Sequence, residues 1–173
     1  MYKLVLVCLL ALFVNAKELT LVDGEINAHT EVFGDSTIDP KTEKIVAQVT
    51  KEDSLESING NFEIEALSLI SDNKDRDQHM YKVLNVVDSP KISFKINSVS
   101  KVEEGYKING ILNLNHVQRP ISTDATINEV ANLIKLSGNF SINLTDFNLE
   151  PPTMFFLTVR DQIDIKYSFN LKE

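Results

Sequence analysis

Cysteine, tryptophan and basic charge are what this chain has least of. One Cys and no Trp occur in 173 residues. The Cys is Cys8, near the N-terminus, so neither a disulfide framework nor a thiolate metal site can be assembled. Lys and Arg number 17 against 25 Asp and Glu, a net charge of −8. Such a surface is a poor match for nucleic-acid phosphates and for anionic lipid headgroups. Apolar runs are equally scarce: after the first residues nothing approaches the roughly 20 apolar positions that a membrane-spanning helix needs. With 43% hydrophobic and 24% charged residues, the composition is that of an ordinary globular chain, which excludes disorder and collagen-like structure. The length suits one compact domain.

The one apolar run, Leu4 to Val14, follows Lys3 and ends at Val14-Asn15-Ala16. A positive start, a short apolar stretch and small residues at the cleavage positions are the form of a secretory signal peptide, so residues 1–16 are expected to be removed and residues 17–173 to form the mature domain. A lipoprotein signal would place its Cys at the end of the apolar stretch. Cys8 lies inside it, so no lipid anchor is expected. The expected product is exported and not embedded in a membrane.

What is there is alternation. Ile134, Leu136, Gly138, Phe140, Ile142 and Leu144 share one parity, against Lys135, Ser137, Asn139, Ser141 and Asn143 on the other. Ile163, Ile165, Tyr167, Phe169 and Leu171 repeat the pattern, as do Ile92, Phe94, Ile96; Ile108, Gly110, Leu112, Leu114; and Ile121, Thr123, Ala125, Ile127. Period two means strands with one dry and one wet face. Glu103-Glu104-Gly105 reads as a short hairpin loop. Near the N-terminus, strands are expected around 18–23, 25–33 and 44–50. Between 61 and 70 the parity changes, Phe62 and Ile64 giving way to Leu67 and Leu69, which a bulge near Glu65 or Ala66 would reconcile.

Asp75 to Val87 breaks the rule. Met80, Val83, Leu84 and Val87 follow i, i+3, i+4, i+7, one face of a helix. Ser71, Asp72 or Asn73 could cap it, and Pro90 marks the exit. About eight antiparallel strands and one helix form either a closed barrel or a two-layer sandwich, and closure removes the exposed edges. The expected fold is all-β with one inserted helix: a lipocalin-like, eight-stranded antiparallel barrel in a single domain.

By parity alone the inner rows comprise Phe62, Ile64, Ile92, Phe94, Ile96, Leu112, Leu114, Ile134, Leu136, Phe140, Ile142, Tyr167 and Phe169. Small residues among them (Gly110, Thr123, Ala125, Gly138) would leave a narrow apolar space reaching roughly 30 Å, given a rise of about 3.3 Å per residue. Such walls suit a hydrocarbon chain and not a sugar or nucleotide. The other reading of the same face is plain core, the small residues accommodating large neighbours.

Four motifs then carry a resemblance. Ser68-Leu69-Ile70-Ser71-Asp72-Asn73-Lys74-Asp75-Arg76-Asp77-Gln78-His79-Met80 holds the Arg-Asp-x-His-Met that opens a helix; Ser89-Pro90-Lys91-Ile92-Ser93-Phe94 follows it. Next come Leu112-Asn113-Leu114-Asn115-His116-Val117-Gln118-Arg119-Pro120-Ile121 and Asp146-Phe147-Asn148-Leu149. In order and spacing these resemble the YceI-like family of exported proteins over roughly residues 61–171. The resemblance implies a lipocalin-like barrel whose lumen holds a polyisoprenoid, such as an isoprenoid quinone, a polyprenol or a similar amphiphile, without a further cofactor and without catalysis. The expected signal peptide leads to a periplasmic location. Carriage, storage and sequestration all fit; so do two rivals, a structural or stress-related interaction module with a filled barrel, and an accessory role in quinone-linked electron transfer. A homodimer is left open.

His116 and Asn148 stand where the family has glycines; His and Asn tolerate positive φ better than most residues. Asn115 replaces a family His. Arg76, His79, Met80, Val83, Leu84 and His116 are assigned to the barrel mouth and the helix covering it, Arg76 either pairing at the helix start or orienting a polar head. His29, His79 and His116 lie on separate segments without metal-ligand spacing, and no nucleophile elbow or phosphate loop is present.

Overall fold

The computed structural model describes residues 16–32, 35–154 and 157–173. The expected signal segment, apart from Ala16, lies outside the described residues. The strands are β1 (Lys17–Val32), β2 (Asp35–Ile38), β3 (Lys41–Thr42), β4 (Ile45–Lys51), β5 (Asn59–Glu65), β6 (Lys91–Val102), β7 (Gly105–Leu114), β8 (Val117–Val130), β9 (Leu133–Asn143), β10 (Thr153–Met154), β11 (Leu157–Thr158) and β12 (Gln162–Lys172); the helix α1 spans Lys74–Val83. Antiparallel pairing runs β12-β9-β8-β7-β6-β5-β4-β1, and β1 pairs again with β12 over Thr20–His29. That second edge closes a ring of eight strands, so each of the eight has a paired neighbour on both sides. The fold is an all-β, eight-stranded antiparallel barrel with one helix.

Local chemistry accounts for the places where the chain departs from the expected outline. The N-terminal strands expected at 18–23 and 25–33 are one strand, bent where the β1–β12 register shifts between Leu21 and Asp23. No bulge explains the parity change after Ile64. The strand ends at Glu65 and a 3-10 turn, Ala66–Ser68, rotates Leu69 back toward the interior. Ile70 then exchanges backbone hydrogen bonds of 3.0 Å with Lys41. Asn73 caps α1, its Oδ1 accepting from the N–H groups of Asp75 and Arg76 at 3.0 Å each, which satisfies two of the free donors at a helix start. The helix stops at Val83, short of Val87, because Asn85 takes φ 52° and turns the chain away. Val87 is therefore 90% exposed and is no part of the covering face.

The turn β7–β8 passes through Asn115 at φ 49° and His116 at φ 60°, and Asn148 adopts φ 57°. The two positions where glycines were expected are thus in the left-handed region, held by residues that can enter it. Asn115 also fastens this turn: its Nδ2 donates to the Phe147 carbonyl at 3.0 Å, and its Oδ1 accepts from Asn85 Nδ2 at 3.1 Å.

The interior divides along the barrel axis. At the end carrying the β6–β7 and β8–β9 hairpins, Leu19, Val49, Ile58, Ile127, Ile134 and Leu171 pack into solid core. Lys51, buried beside them, closes that end by pairing with Glu173 at 2.6 Å and Glu129 at 3.1 Å, while Lys17 holds the other oxygen of Glu173 at 2.7 Å. At the opposite end Ile64, Leu69, Leu84, Leu114, Leu144 and Phe147 join the barrel wall to α1 and the 3-10 turn Leu144–Phe147. Between the two lies open space.

Candidate functional site

That space is an apolar cavity of about 770 Å³. Twelve of the thirteen inner-row residues expected from parity line it: Phe62, Ile64, Ile92, Phe94, Ile96, Leu112, Leu114, Leu136, Phe140, Ile142, Tyr167 and Phe169. The exception is Ile134, which faces inward and is fully buried but sits in the solid core below. Parity fixes the side of a strand and not the depth, so the cavity does not run the full length of these strands.

An aromatic ladder shapes its inner wall. Phe62 and Phe169 stack at 4.3 Å and 14° across the lumen and form its floor; Tyr167 stacks on Phe169 at 5.5 Å, and Phe140 follows at 6.3 Å from Tyr167. The small residues act otherwise than expected. A Cβ at Gly138 would lie 2.7 Å from Tyr167 Cζ, one at Gly24 would lie 2.8 Å from Phe169 Cδ1, and one at Gly110 would lie 2.9 Å from Phe94 Cε1. Each glycine is thus covered by an aromatic ring, which takes the space a side chain there would need.

Polar groups gather at the entrance. Ser71, Asn73, Asp75, Arg76 and His79 contribute from the start of α1, beside apolar lining from Val32 at the end of β1, Ile38 and Pro40 after it, and Pro152 and Val159, with Thr153, from the segment before β12. Asp77 is buried there, its Oδ1 accepting from the Ser71 amide at 2.9 Å and the Ser71 hydroxyl at 2.7 Å. Arg76 Nη1 lies 3.5 Å from Asp72 Oδ1. Met80, Val83 and Leu84 of the expected mouth set line the cavity from the helix side. His116 does not: it is exposed on the β7–β8 turn, donating from Nε2 to the Asp88 carbonyl at 2.9 Å. The lining contributed by Ile26, Ala28, Thr30, Val32, Ile38, Pro40, Pro152 and Val159 was missed. On β1 the alternation Ile26, Ala28, Thr30, Val32 was a usable signal; the others come from short segments without periodicity.

Outside the entrance, His29 on β1 bridges two carboxylates, with Nδ1 2.7 Å from Asp39 and Nε2 3.3 Å from Glu31. The Asp39 hydrogen bond is the main reason its pKa is raised above the ordinary 6.5. Asp164 accepts from Ser141, Gln162 and Arg160, which hold its carboxyl well below the usual range. Inside, burial pushes the Tyr167 phenol upward. The cavity therefore presents apolar walls with charge confined to its rim, a chemistry that matches a hydrocarbon chain better than a polyanion.

The fold recurs in solved structures. BcnA of Burkholderia cenocepacia superposes with a TM-score of 0.75 at 16% identity, over 85% of this chain and 95% of that one. A Campylobacter jejuni YCEI protein gives 0.67 at 20% identity, over 80% and 86%. A polyisoprenoid binding domain from Saccharophagus degradans, implicated in plant cell wall breakdown, gives 0.61 at 10% identity, over 90% and 97%. In sequence, a UPF0312 protein of Yersinia pestis is 29% identical over 97 residues, 51% of this chain and 50% of that protein. The match thus spans about half the length of these curated relatives. The model of the YceI-like domain matches residues 20–171, nearly the whole barrel, and the chain belongs to the YceI-like domain family.

Proposed function

We propose that this protein is a non-catalytic binding protein that holds an isoprenoid or similar long-chain lipid in the barrel lumen, for carriage, storage or sequestration. The observation that carries the reading is the apolar cavity of about 770 Å³ left open inside a closed barrel. A volume in the few-hundred to 1,000 Å³ range, with apolar walls, is what a ligand pocket requires. Burial of each methylene contributes about 0.8 kcal/mol, so several isoprene units outweigh the cost of ordering the chain. The description of the Saccharophagus degradans neighbour as a polyisoprenoid binding domain supports the same ligand class. A filled-barrel interaction module is disfavoured by the open lumen. Export to the periplasm belongs to this reading and is supported by the apolar run Leu4–Val14 after Lys3.

The test is native mass spectrometry of protein purified without detergent, followed by solvent extraction. The expected result is a complex heavier than the chain by one lipid, released on denaturation and identified as a prenyl compound. Protein that is always recovered at the bare chain mass, and that takes up no prenyl lipid on incubation, would overturn the reading.

A further inference from the structure

The inner half of the lumen is walled by Phe62, Phe94, Ile96, Ile108, Leu136 and Phe169, and its polar side chains are Thr123 and Tyr167. Thr123 is 3% exposed, and its single hydroxyl proton is given to the Asn139 carbonyl at 2.8 Å, the shortest of its contacts. The contact of 3.3 Å between Thr123 Oγ1 and Tyr167 Oη therefore has the tyrosine as donor. Hydroxyl–hydroxyl bonds centre near 2.7–2.8 Å, so this donor is loosely held and available to a better acceptor.

Packing does not require that hydroxyl. Phenylalanine would stack on Phe169 and cover Gly138 equally well, whereas a Cβ at position 138 would run into the phenol end of Tyr167. A glycine at 138 thus admits a ring together with its hydroxyl. Burying a phenol in an apolar wall costs free energy unless a partner satisfies it. Near the entrance, Asp77 already accepts twice from Ser71, and Asn73 caps the helix. Tyr167 lies five residues into β12, roughly 16 Å along the strand from its start at the mouth. It meets the leading end of whatever enters.

We propose that Tyr167, backed by Thr123, is an internal polar subsite that takes a hydrogen-bond acceptor, a carbonyl or similar oxygen, on the buried end of the bound chain. This rests on the lumen reading and narrows its ligand class: the chain enters with its oxygen-bearing end first and trails hydrocarbon toward the mouth. A site with a buried donor discriminates against a chain that leaves the donor unpaired.

The test uses the full protein stripped of lipid, its Tyr167→Phe variant, and two probes: geranylgeranylacetone, an isoprenoid methyl ketone, and the analogue with a methylene in place of the carbonyl. Titrations are read by native mass spectrometry. Tyr167→Phe is expected to weaken the ketone about three- to tenfold and to leave the methylene analogue unchanged. The infrared carbonyl stretch of the bound ketone is expected to move to higher frequency in Tyr167→Phe, as a lost hydrogen bond requires. Wild-type protein that takes up neither probe overturns the lumen reading and the subsite with it. Wild-type protein that binds both, with Tyr167→Phe binding both as tightly or losing both equally, overturns the subsite alone.

Discussion

Gly138 pairs with Tyr167 across β9–β12, and Gly24 pairs with Phe169 across β1–β12. A side chain at either position would displace the ring that covers it. At Gly138 the Asp124 carbonyl is also only 2.6 Å from where a Cβ would stand, and backbone cannot yield as a side chain can. Gly138→Ala is expected to destabilise the protein by about 1–3 kcal/mol and to swing Tyr167 into the lumen. Urea unfolding would read the first effect, and reduced uptake of a prenyl probe the second. His29 belongs to the same scale. Its pKa is raised chiefly by Asp39, so the pairing contributes its full stability below the unfolded value near pH 6.5 and loses it as pH rises through the folded value. His29→Gln is expected to flatten the dependence of unfolding free energy on pH between about 6 and 8. A variant as pH-sensitive as wild type in that window would show that the bridge carries no weight.

Helix α1, through Met80 and Val83, and the Leu84 that ends it cover the cavity, and Asn73 caps the helix start. Asn73→Ala removes the cap and should cost about 1 kcal/mol. Hydrogen exchange should accelerate first in Asp75 to Asp77, and a bound chain should leave faster, since the helix is part of its cover. Much of this element was legible: Met80, Val83 and Leu84 stood at helical spacing, and Asn73 was among three capping candidates. The C-terminal strands were legible too, because each has one wet and one dry face and parity alone sorts them. What sequence could not supply was depth. Ile134 and Leu136 share a face, yet one closes the core and the other meets the cavity, and nothing in a period of two separates them. The entrance was hidden for another reason. Ile38, Pro40, Pro152 and Val159 reach it from segments too short to show periodicity, and they are anchored there by backbone contacts such as the Arg160 amide donating to the Glu31 carbonyl. At Asn85, a single left-handed residue overrode a helical pattern that ran on to Val87.

As a whole the molecule is a barrel sealed at one end by close packing and the Lys51 ion cluster, with an apolar cavity toward the other. Space of this kind forfeits the dispersion contacts that a filled core would gain, so an occupant that binds only the folded state must stabilise it. At a free ligand concentration 100 times its dissociation constant the gain is about 2.7 kcal/mol. Protein stripped of lipid is therefore expected to melt below the protein as purified, and readdition of a prenyl lipid should restore the difference. Ala28 offers the control. It lies on β1 within the cavity wall, opposite Ile165 in the β1–β12 pairing. Ala28→Trp projects an indole into space that is already apolar and empty of side chains, so it should fold, melt at or above the stripped wild type, and gain nothing from added lipid. If Ala28→Trp is stabilised by lipid as strongly as wild type, the lipid is acting outside the lumen, and the stabilisation of the natural protein cannot be assigned to a chain threaded through the barrel.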